Sequence, residues 1–191
     1  KEKEEILFTP AGTITDVDGN TYAAIKIGTQ IWINENLRTT KYNDGTQITN
    51  EKVDSLWLKL TTGAYCCYNN QDSNKDKYGF LYNWHAVNTL KLCPTGWHVP
   101  DNAEWTTLRD FLGGICVAGE KMKSITGWED WASGTNASGF SGLPGGQYIT
   151  EKATLDMLVI QVPGGLPLNM DLTHGIGNLV IIHRVYLYFT N

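Results

Sequence analysis

Short β-strands, one or two helices and long irregular loops, together an α+β domain, follow from three features of this chain. Seven Trp, nine Tyr and twenty Gly among 191 residues, with many Asn and Thr, describe strands broken by turns and pinned by aromatic side chains. The stretch TITDVDGNTYAAIKIGTQIWINENL supplies a hairpin, and a capping signal at Asp101 supplies a helix. With 41% hydrophobic and 18% charged residues, the chain suits one domain whose core is large enough to be stable alone.

Residues 1–10, opening on KEKEE, are expected to be a solvated leader, and residues 11–191 a single domain. Asp18-Gly19-Asn20 is a hairpin turn, and Tyr22, Ile25, Ile27, Ile31 and Ile33 fit short strands broken at Gly28. The DxDG run there is not a calcium loop. Counted from Asp16, an EF-hand needs Gly where Thr21 stands and Glu where Ile27 stands. Residues 40–77 are polar, with a turn at Asn43-Asp44-Gly45 and a loop at NNQDSNKDK. Between these lies VDSLWLKL, one short helix expected to bury Val53, Leu56, Trp57 and Leu60 on one face. The aromatic alternation of Tyr78, Phe80, Tyr82 and Trp84 reads as a half-buried strand that packs in the core, with a helix from about Leu81 as the alternative.

The densest stretch is LCPTGWHVPDNAEWTTL, residues 92–108. Pro100 fixes φ, Asp101 is a good N-cap, and Glu104 three residues later completes a capping box. The helix that starts there carries Trp105, Leu108, Phe111 and Leu112 on one face and stops at Gly113-Gly114. Pro94, Gly96 and Trp97 form the turn and packing anchor that lead into it. His98 has no acid or nucleophile at a fixed offset, so it reads as structural.

A net charge of −5 without any Lys/Arg cluster removes the footprint that nucleic acid or an anionic membrane would need. No apolar run is long enough for a transmembrane segment. Cys66, Cys67, Cys93 and Cys116 allow three pairings, among which sequence does not choose. They lack CxxC spacing, and neither His85 nor His98 stands at a metal-binding offset, so no metal and no cofactor is expected. A Cys66–Cys93 disulfide would stabilise the fold by about 3–4 kcal/mol on the chain-entropy model and would require an oxidising compartment.

Three ordered motifs, GNTYAAIKIGTQIWINENLRTTKYNDGTQI, YGFLYNWHAVNTLKLCPTGWHVPDNAEWTTLRDFLGG and NASGFSGLPGG, resemble the Fibrobacter succinogenes major paralogous domain family from about Thr13 to Gly146. That family is similar in turn to the C-type-lectin-like fold of the sulfatase-modifying enzymes, whose LPTEAEW-like helix start is similar to VPDNAEW here. The resemblance implies a C-type-lectin-like domain outside the cytoplasm, at the bacterial cell surface, with a lipid anchor upstream in many members. It implies no known reaction. The chain departs from the pattern at Cys67, where the family tends to carry Trp, and at Cys116, which looks extra.

After Gly146 the family usually continues through Trp-Ser-Ser-Thr to a terminal strand with a cysteine, and residues 147–191 show neither. Read one base upstream, Gly164 to Asn169 can encode Trp-Trp-Ser-Ser-Thr-Glu, so this tail is read as out of frame with the ancestral gene. The codons at Gly164 and Gly165 decide the point. Its NLVIIHRVYLYF segment is β-prone enough to substitute for a strand that in lectin-like domains commonly pairs with the first, and equally to aggregate. With the family's terminal cysteine missing, Cys93 is left with Cys66 or Cys116; the Cys66–Cys93 disulfide is the pairing carried forward.

Two functional classes are weighed. The first is a non-catalytic exported module that binds a glycan or a surface protein through its loops, with aromatic rings stacking on sugars and Asn and Asp supplying orienting hydrogen bonds. Loop position selects Asp44, Asn70, Asp72, Trp128 and Trp131 as its ligand-binding residues. The alternative, an oxidase resembling the sulfatase-modifying enzymes, needs a reactive cysteine pair in the C-terminal part, and no cysteine follows Cys116. There is no GxSxG elbow and no spacing that selects a carboxylate pair, so no catalytic residue is assigned.

Overall fold

The computed structural model describes residues 6–57, 59–129, 133–144, 181–182 and 188–189. In chain order the strands are β1 (Phe8–Thr15), β2 (Thr21–Ile27), β3 (Gln30–Ile33), β4 (Thr49–Asn50), β5 (Ala64–Cys67), β6 (Phe80–Asn83), β7 (Trp97–His98), β8 (Ile181–Ile182) and β9 (Tyr188–Phe189). The helices are α1 (Asp54–Trp57), α2 (Lys75–Tyr78), α3 (Trp84–Val87), α4 (Asn102–Phe111) and α5 (Ala118–Met122). The strands form two sheets, ordered β1-β2-β3-β9-β7 and β4-β5-β6-β8. This is the mixed α+β architecture expected. Among the described residues no helix is long and apolar enough to cross a membrane.

The first three strands run antiparallel through the expected turns. Strand β1 starts earlier than the expected leader allowed. Phe8 already pairs with Ile27, because its ring packs on the cluster of Ile25, Ile27, Trp32 and Leu108, where Gly139 leaves it room: a Cβ there would lie 2.6 Å from the ring.

The β1–β2 turn is a polar hub. Asp16 is buried, and its carboxylate accepts from the Asp18 and Asn20 amides, the Asn20 side chain and, at 2.6 Å, the Tyr22 hydroxyl. Asp18 accepts from both Thr39 and Thr40 and pairs with Lys41 at 3.0 Å. Burial pushes the Asp18 carboxyl up, but the Thr40 amide, Lys41 and the two hydroxyls together hold it below its ordinary value. The DxDG run therefore ties the hairpin to residues 38–41. Asp16→Ala is expected to cost about 2–4 kcal/mol in urea unfolding, since it strands buried donors including the Tyr22 hydroxyl.

Strands β5 and β6 are buried on both faces. Tyr65, Cys67, Phe80 and Tyr82 join Tyr22, Ile33, Leu37 and Cys93 in one cluster, while Ala64, Cys66 and Leu81 join Trp57 in another. Of the aromatic run, Phe80 and Tyr82 lie in β6 and are buried, whereas Tyr78 ends α2 half-buried and Trp84 opens α3 partly exposed. The strand reading thus holds only to Asn83, and the helix begins at Trp84. Asn83 makes the change of direction, its side-chain oxygen accepting from the Ala86 and Ala64 amides and its nitrogen donating to the Thr62 carbonyl. Helix α1 corrects an expectation, since Val53 and Leu56 are about half exposed, while Trp57 is buried and Leu60 packs partly buried against its cluster. One four-residue turn cannot aim four apolar side chains at one neighbour.

Helix α4 starts with the expected capping box: Asp101 accepts from the Glu104 amide, and Glu104 from the Asp101 amide. Leu108 and Leu112 are fully buried with Trp105 packed beside them, whereas Phe111 is half exposed. Gly113 and Gly114 both take positive φ and end the helix.

The expected Cys66–Cys93 disulfide is not formed; all four cysteines are free thiols. Neighbouring residues of a strand point to opposite faces. Cys66 faces Trp57, while Cys67 shares the other cluster with Cys93. Of residues 147–191, read from sequence as an atypical tail, only 181–182 and 188–189 are described. They act as strands: β8 pairs with β6, and β9 lies between β3 and β7. The terminal strand therefore joins β3 and not β1, whose partner is β2.

Candidate functional site

The connection from β5 to β6 is a built loop. Residues 68–70 and 72–74 form two 3₁₀ turns and α2 follows. Asn69 and Asn70 both have positive φ, a conformation Asn tolerates better than other side chains. The Asn74 side chain donates to the Tyr68 carbonyl at 2.9 Å, closing the loop on itself. Asn70 donates to the Lys52 carbonyl at 3.0 Å, and the Lys52 ammonium meets the Asp72 carboxylate at 2.8 Å, so the residues before α1 brace the loop from outside. At its exit, Asn36 donates to the Tyr78 carbonyl at 2.6 Å and the Phe80 amide to the Leu37 carbonyl.

What the loop presents is mixed. Tyr68 and Tyr78 meet edge to face at 5.4 Å, and the Lys77 ammonium sits 4.8 Å from the Tyr78 ring centre. Asn69, Gln71, Asp72 and Ser73 are exposed around them. Lys52 holds the Asp72 carboxyl below its ordinary value, and Asp72 in turn raises the Lys52 ammonium. Cys67 lies at the loop's root, its Sγ 3.7 Å from an Asp72 oxygen. Burial, then the Asp72 charge, push its thiol up, which suppresses the thiolate that nucleophilic chemistry needs. The surface offers fixed donors, acceptors and aromatic edges but no activated nucleophile.

Asn70 and Asp72, two of the residues selected from sequence, thus share this site. The others do not. Asp44 lies in the Tyr42–Gly45 turn, held by Lys91 at 2.8 Å and by the Thr46 amide, which keep its carboxyl well below the carboxylate range. Trp128 donates its indole N–H to the Gly142 carbonyl at 2.7 Å and lies under the Lys123 ammonium, so it packs one loop on another. Trp131 lies outside the described residues.

His98 is structural, as read, but the reason given for that reading does not hold. Its Nε2 lies 2.8 and 2.9 Å from the two Glu104 carboxylate oxygens, so an acid six residues away does face it. Glu104 serves three partners: His98, the Asp101 amide, and Gln30, whose side chain donates to the Glu104 carbonyl. The arrangement locks β7, the start of α4 and β3 together. Among the described residues no group of three His, Cys, Asp or Glu is placed to hold a metal ion.

Residues 25–158 match the Fibrobacter succinogenes major domain. This chain belongs to that family. No curated protein and no solved structure matches it. In this member of the Fibrobacter succinogenes major domain family the match takes in the 68–78 loop, the capped helix and the 133–144 segment, and leaves β1 and residues 159–191 outside. Sequence reasoning missed Lys52, Tyr68, Asn74 and Tyr78 as parts of the site. The Tyr68–Tyr78 pair had a faint signal, two aromatics bracketing a polar loop. Lys52 had none, because its partners lie 18 and 20 residues away.

Proposed function

We propose that this domain is an exported, cell-surface recognition module of C-type-lectin-like architecture that holds a glycan or protein partner on the 68–78 loop and catalyses no reaction. The observation that carries the reading is the loop itself: exposed polar side chains and a tyrosine pair on a backbone fixed at both ends and braced by Lys52. Ordering a flexible loop opposes binding, and a loop already ordered avoids that cost. Tyrosine edges and carboxamides suit the apolar faces and hydroxyls of sugars. The oxidase alternative finds less support, since its chemistry needs thiolates, and burial pushes the Cys66 thiol up to about 12 and raises Cys67 and Cys93 as well.

A glycan array probed with the intact chain, beside Asp72→Ala and Tyr78→Ala, tests this. The wild type is expected to bind at least one glycan class. Each variant is expected to bind roughly tenfold more weakly, the loss of one charge-assisted hydrogen bond or one ring contact, with an unchanged melting temperature. Undiminished binding by both variants would place the site elsewhere, and no binding to any glycan would leave a protein partner as the ligand.

A further inference from the structure

We propose that the gap between β3 and β7 is an acceptor slot for a β-strand, and that the segment filling it can come from a second copy of this chain, giving a strand-swapped dimer. The register defines the slot. Ile31 and Trp97 both pair with Phe189, and Trp32 and His98 both pair with Tyr188. Among the described residues, β3 and β7 are joined through β9, since neither is the other's neighbour in the sheet. Among the described residues, removing β9 would open the inner edge of β3 and break the strand pairing that β7 makes in that sheet, while withdrawal of β8 would open an edge of β6.

Three observations favour exchange. The occupant is short: β9 is two residues long and so is β8, so few ladder bonds oppose withdrawal. The occupant belongs to the chain VYLYF, residues 185–189, rich in β-branched and aromatic residues and free of the Pro, Gly and Lys that commonly blunt an edge. The sequence separation is long. Residues 145–180 place 36 positions between Pro144 and β8, a chain whose extended reach is about 120 Å, against a radius of gyration of about 16 Å for a domain of this size. An identical copy offers the identical strand in the identical register, and strand exchange of this kind is a low-cost route to a symmetric dimer. Both copies carry a net charge of −5, so salt should favour the exchange by screening their repulsion.

Intact chains test it, all carrying Cys116→Ser to remove the exposed thiol. One chain with Ile31→Cys, labelled with heavy nitrogen, is refolded together with an unlabelled chain carrying Phe189→Cys and then oxidised. A disulfide joining position 31 of one chain to position 189 of the other is expected, rising several-fold in yield when concentration is raised tenfold. A chain carrying both substitutions should close on itself at low concentration. The pair His98→Cys and Tyr188→Cys repeats the test on the other side of the slot and covers misfolding of the first pair. The idea fails if neither mixture yields a crossed peptide at any concentration. It also fails if neither doubly substituted chain closes on itself at low concentration.

Discussion

Trp32→Ala is expected to destabilise the domain by about 3–5 kcal/mol, a large share of the ~5–15 kcal/mol that holds an ordinary domain folded. Trp32 is fully buried in the middle of β3. Its ring lies 4.9 Å from Trp105 of α4 and 5.9 Å from Phe140, and those two lie 5.9 Å from each other. The three rings join the first sheet, the capped helix and the 133–144 segment, so truncating the central one leaves a cavity walled by three elements with different anchors. Trp32→Phe keeps part of the contact and should cost about half as much. Urea unfolding followed by far-UV circular dichroism measures both. A loss below about 1 kcal/mol for the alanine variant would mean that these elements are held together by something other than the ring cluster.

Gly79→Ala is expected to cost about 2–5 kcal/mol and to abolish ligand binding with it. Gly79 has φ +64 and ψ −155, a region essentially closed to residues with a Cβ. A Cβ there would also lie 2.6 Å from the Leu37 carbonyl oxygen and 2.6 Å from the Asn36 Cβ. Neither can retreat freely, because the Leu37 carbonyl accepts from the Phe80 amide and Asn36 donates to Tyr78. Gly45 supplies the comparison. It has φ +86 but nothing within 4 Å, so Gly45→Ala should cost only the backbone strain of about 1–2 kcal/mol. Thermal unfolding of the two variants separates crowding from strain, and equal losses would contradict the close packing of the loop exit.

What was legible in the sequence was local. The hairpin at Asp18-Gly19-Asn20 and the box of Asp101 and Glu104 are written within a few residues, because the side chain and the amide it satisfies belong to the same turn. The family motifs fixed the kinship by the same kind of ordered signal. What failed was distal or depended on which face a side chain takes. Glu104 was read for its capping role alone, since nothing local says that its carboxylate also meets His98 and its carbonyl Gln30, 74 residues away. Val53 and Leu56 have helical spacing, but α1 is too short to use it. Cys66 and Cys93 looked like a pair only while the faces of β5 were unassigned. Asn70 and Asp72 were found because they are polar loop residues, yet the features that make their loop a site, the Lys52 brace and the tyrosine pair, come from contacts that periodicity does not encode.

The central claim is that the cysteine- and aromatic-rich heart of the protein is scaffold, with its thiols buried, protonated and unpaired. Burial raises the Cys66 thiol from 9.0 to about 12. A folded value above the unfolded one adds stability in full below about pH 9, and that stability is lost as pH rises toward 12. Counting reactive thiols at pH 8 in the native state and again in denaturant tests the claim most directly. The account predicts one fast native thiol, the exposed Cys116, and four in denaturant. Two thiols in denaturant, or native labelling of Cys66 or Cys93 as fast as Cys116, would contradict it.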